Sequence, residues 1–171
     1  VVRFHVLANS DSEADQTLKL AVRDRVLQEY GDLLETCTSK EETLAALKNA
    51  QQEISETAEA EVLAQGYTYP VRVSLVREEF PFKKYGDLIF PAGVYDAVRI
   101  EIGEAKGKNW WCVLYPQMCY VDAAWGYSTE ESHVRLQNTL TKEEFLVVSA
   151  MEQKKVTPKI KCRLVELWSE R

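Results

Sequence analysis

Alternating apolar residues open the chain and are followed by a helical pattern. Residues 2–8 alternate and are rich in β-branched side chains, which predicts a short strand. A serine followed three residues later by an acidic residue predicts the start of a helix, either at Ser10 with Glu13 or at Ser12 with Asp15. The apolar stripe of this helix recurs every four positions, at Leu18, Val22, Val26, Tyr30 and Leu34.

A second helix is predicted from the same two signals. Ser39 with Glu42 repeats the capping pattern, and apolar residues at helical spacing continue to residue 62. The helix should end by Gly66, because glycine tolerates the left-handed conformation that terminates helices.

The middle of the chain has the period of β-strands. Residues 69–77 alternate and predict a half-buried strand, whereas residues 80–93 contain prolines and glycines and predict an irregular segment. Two further alternating runs, 94–102 and 110–115, are separated by the polar residues 103–109. We therefore predict that these two runs pair as an antiparallel hairpin.

The last third is less regular. Residues 122–132 predict a loop, and Thr141 with Glu144 predicts the start of a short helix. Residues 157–168 fit an amphipathic helix, although their alternation also permits a strand. Together these elements predict one α+β domain over residues 1–171, with two N-terminal helices packed on a mostly antiparallel sheet and a short C-terminal helical segment.

Composition and charge exclude several classes of protein. The apolar fraction of 46% and charged fraction of 28% are those of a soluble globular domain. A net charge of -6 argues against nucleic-acid binding, which needs a basic surface. The sequence has no apolar run of about 18 residues that could span a bilayer. It opens at Val1 with a strand under way, so we expect a trimmed or processed chain, with any export signal or anchor upstream of Val1.

The cysteines do not suggest a metal site. They form no CxxC pair and no grouping with the two histidines, so we predict no metal and no cofactor; they are Cys37, Cys112, Cys119 and Cys162. Cys112 and Cys119 flank a turn at Pro116. They could form a short disulfide in an oxidising compartment or remain buried thiols.

Two groups of polar residues could carry chemistry. The first group lies where the first predicted strand ends and the first predicted helix begins. Free backbone amides there could bind an anion or an acidic side chain of a partner, or the same residues could simply cap the helix. The group is His5, Asn9, Ser10, Asp11, Asp15, Arg23 and Asp24. The second is a thiol-enzyme set, with Cys112 or Cys119, His5 or His133, and Asp122. It has no recognised local signature, so we predict no catalytic residues.

Large aromatic residues cluster in the middle of the chain. Trp110 and Trp111 are adjacent on a predicted strand and must point to opposite faces, so only one can enter a given core. Aromatic side chains bordered by polar residues are typical anchors of protein interfaces. The glycine- and lysine-containing segment before them, residues 103–108, lacks the spacing of a phosphate-binding loop and is interpreted as a hairpin connection.

Several blocks, in order, resemble the stage II sporulation protein R family. They are RFHVLANSDS at residues 3–12 with VRD at 22–24, YPV at 69–71, FP and YG within 80–86, PAGVY at 91–95, and GKNWWCVLYP at 107–116 with Cys119 and Asp122. The resemblance covers most of residues 2–122.

The resemblance implies a signalling protein of endospore-forming bacteria. Such a protein is exported from the forespore into the space between the forespore and mother-cell membranes. There it activates a membrane-embedded aspartic protease of the mother cell, which removes the pro-sequence of a sigma factor. The protein would act beside the membrane without spanning it, and not as an enzyme. Export also favours the disulfide between Cys112 and Cys119.

Residues that match the family motifs are our predicted partner-binding residues: Asn9, Asp11, Arg23, Asp24, Asn109, Trp110 and Trp111. The competing hypothesis is a hydrolase or binding module directed at the cell wall in the same space. Replacing His5, Cys112 and Cys119 in turn would separate the two.

Overall fold

The computed structural model describes residues 1–85, 88–119 and 130–150, without the side chains of 130–133, 135 and 150. Helices and strands alternate in blocks within these ranges. In chain order they are β1 (Val2–Leu7), α1 (Glu13–Glu35), α2 (Lys40–Asn49), α3 (Gln51–Ala64), β2 (Val71–Phe80), β3 (Lys83–Tyr85), β4 (Leu88–Phe90), β5 (Gly93–Ile102), β6 (Asn109–Tyr115), α4 (Glu130–Thr139) and α5 (Lys142–Ala150). The predicted α+β class is confirmed. The predictions for residues 122–129 and 157–168 lie outside the described residues.

The main sheet has four strands in the order β2-β5-β1-β6. β1 runs parallel to β5 and antiparallel to β6, so His5 lies opposite both Arg99 and Trp111. The predicted β5–β6 hairpin is therefore wrong, because β1 lies between its two strands. Residues 2–6 of β1 are all buried, as is typical of a central strand that is covered on both faces. Periodicity reports the face of a strand but not its neighbours.

One face of the sheet packs on the N-terminal helices. Its side chains are apolar and merge with the buried stripes of α1 and α3; the strands contribute Val2, Phe4, Val6, Val73, Val98, Ile100, Ile102, Cys112 and Leu114. We call this the helix side. The opposite face, which includes Arg3, His5, Phe80 and Trp111, is called the hairpin side, since the β3–β4 hairpin lies against it.

The helix starts follow the predicted capping chemistry. Ser12 caps α1 by accepting a hydrogen bond from the Asp15 amide at 3.2 Å, and Ser39 caps α2 in the same way through Glu42. Thr141 and Glu144 form the reciprocal capping box at α5. These motifs are local in sequence, which is why their spacing predicts them.

Three details differ from the prediction. The second predicted helix is divided into α2 and α3 at Ala50, whose ψ of 0° bends the chain so that the buried faces of both helices reach the core. Lys83–Tyr85 and Leu88–Phe90 form a short two-stranded sheet where an irregular segment was expected. Glu130–Ser132 belong to α4 rather than to a loop, because a polar sequence does not by itself prevent a helix.

Candidate functional site

Asn9 and Asp11 tie the chain between β1 and α1 to the connection between β5 and β6. Asn9 Oδ1 accepts a hydrogen bond from the Glu104 amide at 2.9 Å, and Asp11 Oδ1 accepts one from the Lys108 amide at 2.6 Å. The connection thus crosses the end of β1 and is fixed there. Both side chains, predicted as partner-binding, have internal hydrogen-bond partners.

Two glycines permit this close crossing. A side chain at Gly103, where φ is +61°, would collide with Asn9, and one at Gly107 would collide with the carbonyl of Ser10. Glycine is therefore required at both positions by the approach of neighbouring groups.

A buried carboxylate completes the crossing. Asp15 accepts hydrogen bonds from Ser10 Oγ at 2.5 Å and from Asn9 Nδ2 at 2.9 Å. These two hydrogen bonds, Ser10 first, hold the pKa of Asp15 below its usual value. Ser10 therefore binds Asp15 and does not take the N-cap position, which belongs to Ser12.

Arg23, Asp24 and Trp110 form a compact group on the helix side. The Arg23 guanidinium carbon lies 4.6 Å from the centre of the Trp110 ring. Its Nε and Nη2 atoms lie 2.7 and 2.6 Å from a single oxygen of Asp24. The exposed Leu20 lies one turn earlier on α1. We call Leu20, Arg23, Asp24 and Trp110 the Arg23 corner.

Trp111 lies on the hairpin side, apart from Trp110. Its ring stacks on His5 with centres 4.8 Å apart, and Phe80 meets it edge-on at 4.8 Å. Lys83 Nζ lies 5.4 Å from the ring centre. The two tryptophans point to opposite faces, as the alternation predicts. Asn109, the first residue of β6, lies opposite Leu7.

His5 is buried beside a carboxylate. Its Nε2 lies 2.6 Å from Glu78 Oε1, although the two atoms are not aligned for a hydrogen bond. Burial, followed by the positive charges of Arg99 and Arg3, lowers the pKa of His5 to about 4. The nearby carboxylate alone would favour the charged form, but burial outweighs it, and the imidazole is neutral at pH 7.

Arg3 is a completely buried cation that the sequence analysis did not identify. Its guanidinium donates to the Cys112 carbonyl and to the Tyr85 hydroxyl, both at 3.2 Å. Four aromatic rings surround it, with centres 5.0 to 5.9 Å from Cζ; they belong to Phe80, Tyr85, Phe90 and Tyr95. No distinguishing signal was present in the sequence, because Arg3 alternates with the apolar residues of β1 as an exposed polar residue would.

The thiol-enzyme set is not assembled in the described part of the chain. Cys112 and Cys119 are joined in a disulfide, with Cα atoms 5.5 Å apart. Cys112 faces the helix side, whereas His5 faces the hairpin side. Asp122 and the side chain of His133 lie outside the described residues. Cys37 is not in a disulfide.

Neither a metal site nor a membrane span is found within the described ranges. No group of three or more histidine, cysteine, aspartate or glutamate side chains there could hold a metal ion. Likewise, none of the helices described combines the length and apolar character needed to cross a bilayer.

Comparison with known proteins identifies the family. The family model for stage II sporulation protein R matches residues 1–125. Stage II sporulation protein R of Bacillus subtilis (strain 168) is 32% identical over 179 residues, covering 99% of this chain and 80% of that protein. No solved structure matches the chain. The chain therefore belongs to the stage II sporulation protein R family.

Proposed function

We propose that this protein is an exported sporulation signal that binds and activates a membrane-embedded aspartic protease, which then removes the pro-sequence of a sigma factor. The observation that carries this proposal is the match of the sporulation family model to residues 1–125, a range that contains the whole main sheet and α1 to α3. The site of action would be the space between the forespore and mother-cell membranes.

The Arg23 corner is the surface that best suits partner recognition. Tryptophan and arginine are the residue types most often found at energetically dominant interface positions. Here they are packed together next to an exposed leucine and an exposed aspartate. Asn9 and Asp11 support this surface from within by fixing the connection that leads into β6.

Activation by binding has a thermodynamic requirement. The signalling protein can shift the protease towards its active arrangement only if it binds that arrangement more tightly than the inactive one. A shift from about 1% to 99% active would require about 10⁴-fold tighter binding to the active arrangement.

Reconstitution tests the proposal. The purified protein is added to the protease in lipid nanodiscs with its pro-sigma substrate, and cleavage is followed on gels. We expect the wild type to accelerate cleavage and Trp110→Ala to lose most of that effect. Leu63→Ala is the matched control, because Leu63 is an exposed apolar residue on α3 rather than in the corner. Wild-type protein that neither binds the protease nor accelerates cleavage would contradict the proposal. Binding to purified cell wall instead would favour the wall-directed alternative.

A further inference from the structure

We infer that Arg23 is the anchor for a carboxylate of the partner protein, and that Asp24 occupies this position in the free protein. This inference rests on the proposed function, since it specifies the chemistry of the partner at the Arg23 corner. The partner group is an aspartate or glutamate side chain on a protein surface.

Arg23 is already ordered for such a role. Its side chain is only 15% exposed, and its guanidinium carbon lies 4.6 Å from the Trp110 ring centre. Stacking on an aromatic ring restricts the guanidinium and leaves its edge to form hydrogen bonds. Binding at this edge therefore costs little additional side-chain entropy.

The edge of Arg23 is occupied by a weak ligand. One oxygen of Asp24 accepts from both Nε and Nη2, whereas a guanidinium can bind the two oxygens of a carboxylate in parallel. Adjacent residues on a helix do not normally face each other. The Asp24 side chain is also 64% exposed, and exposed ion pairs contribute little to stability. A partner carboxylate with better geometry can therefore replace it.

Lys19 places a second positive charge close to Arg23 on α1. Lys19 is buried, and its ammonium group donates to Gln16 Oε1 at 2.6 Å and to the Lys108 carbonyl at 3.0 Å. Burial first, then Arg23 and Lys108, lowers the pKa of Lys19, while Asp11 opposes this. Lys19 thus adds a second cation beside Arg23, while Asp11 and Asp24 supply the nearby carboxylates.

The apolar part of the corner indicates a protein rather than a free anion. Leu20 is 38% exposed and Trp110 is half-buried. These two side chains offer contact area to a peptide segment, which inorganic phosphate could not use.

Two substitutions with opposite expected effects test the inference. Affinity for the protease in nanodiscs is measured by biolayer interferometry for each purified, folded variant. Asp24→Asn removes the competing carboxylate and should tighten binding by about two- to fivefold, the value of an exposed ion pair. Arg23→Lys removes the planar fork and should weaken binding by about tenfold.

The same helix provides matched controls. Arg25 and Glu29 form an exposed ion pair at 2.9 Å, so Arg25→Lys and Glu29→Gln repeat the two chemical changes outside the corner. Both should change affinity by less than about twofold. Tighter binding of Asp24→Asn with weaker binding of Arg23→Lys supports the inference. Weaker binding of Asp24→Asn, or unchanged binding of Arg23→Lys, overturns it while leaving the proposed function intact. Failure of the wild type to bind overturns both.

Discussion

The two faces of the main sheet are built from the same strands but solve burial differently. On the helix side, β1 contributes Val2, Phe4 and Val6 to an apolar cluster that it shares with the helices. On the hairpin side it contributes Arg3 and His5, which are also buried. Both faces of the sheet are therefore buried, one under the helices and the other under the β3–β4 hairpin. The helices pack through apolar contacts, whereas the hairpin is bound through polar side chains.

Buried polar side chains fix the position of the β3–β4 hairpin on the hairpin side. The β3–β4 hairpin has no backbone ladder to the main sheet in the described residues, and Tyr85 connects it by accepting from Arg3 and donating to the Trp111 carbonyl. A buried cation needs hydrogen-bond acceptors at particular positions. The apolar helix side instead tolerates replacement of one apolar side chain by another of similar volume. We expect substitutions on the two sides to differ accordingly.

Removing Arg3 should have the largest effect. Arg3→Ala empties the space between four rings and should lower the free energy of unfolding by about 4 kcal/mol, comparable to loss of a large core side chain. Urea unfolding measures this loss. Arg3→Met is the control, because it fills the space without the charge and should cost about half as much. Equal losses for both variants would show that the charge, rather than the packed volume, stabilises the hairpin.

Acid should destabilise the hairpin side through His5. Its pKa is about 4 in the folded protein and about 6.5 in the unfolded chain, so the unfolded chain binds more protons between these values. Stability should therefore fall by about 3 kcal/mol as the pH decreases from about 6.5 to about 4.

Urea unfolding across this pH range measures the slope. His5→Phe should remove it and leave only the loss at lower pH that carboxylates such as Asp15 cause, since their folded pKa values are depressed. An identical pH profile for the variant would contradict the assignment to His5.

The place where the β5–β6 connection crosses the end of β1 should be sensitive to one added methyl group. Gly107→Ala places a side chain against the Ser10 carbonyl and should cost about 2 kcal/mol. Gly66→Ala is the matched control: φ is +83° there, but no atom lies within 4 Å of the added group. It should cost about 1 kcal/mol from backbone strain alone. Thermal unfolding compares the two, and a smaller loss at Gly107 would argue against the tight crossing.

The sequence predicts the local features of both sides better than their pairing. Ser12, Ser39 and Thr141 cap helices where their spacing predicts, because each cap involves residues three positions apart. The separation of Trp110 from Trp111 follows from alternation alone. The insertion of β1 between β5 and β6 depends on contacts about 100 residues apart, which no periodicity encodes.

The candidate site shows the same division. Asn9 and Asp11 are polar residues in a family motif, and sequence spacing does not distinguish a side chain that binds a partner from one that holds a crossing connection. His5, Glu78 and Arg99 meet on the hairpin side only because β1, β2 and β5 are neighbours. Their grouping therefore required the fold.

The smallest expected effect is the difference in stabilisation between the two cation–tryptophan pairs. Each ring carries one cation: Arg23 at 4.6 Å from Trp110, and Lys83 at 5.4 Å from Trp111. Arginine stacks more effectively than lysine, and its side chain here is mostly buried. Arg23→Met should therefore lower the free energy of unfolding by about 1 kcal/mol, and Lys83→Met should lower it by about 0.5 kcal/mol. Double-mutant cycles with Trp110→Leu and Trp111→Leu isolate each pair energy. A larger coupling energy for Lys83 than for Arg23 would show that Lys83 holds the hairpin side together with Arg3.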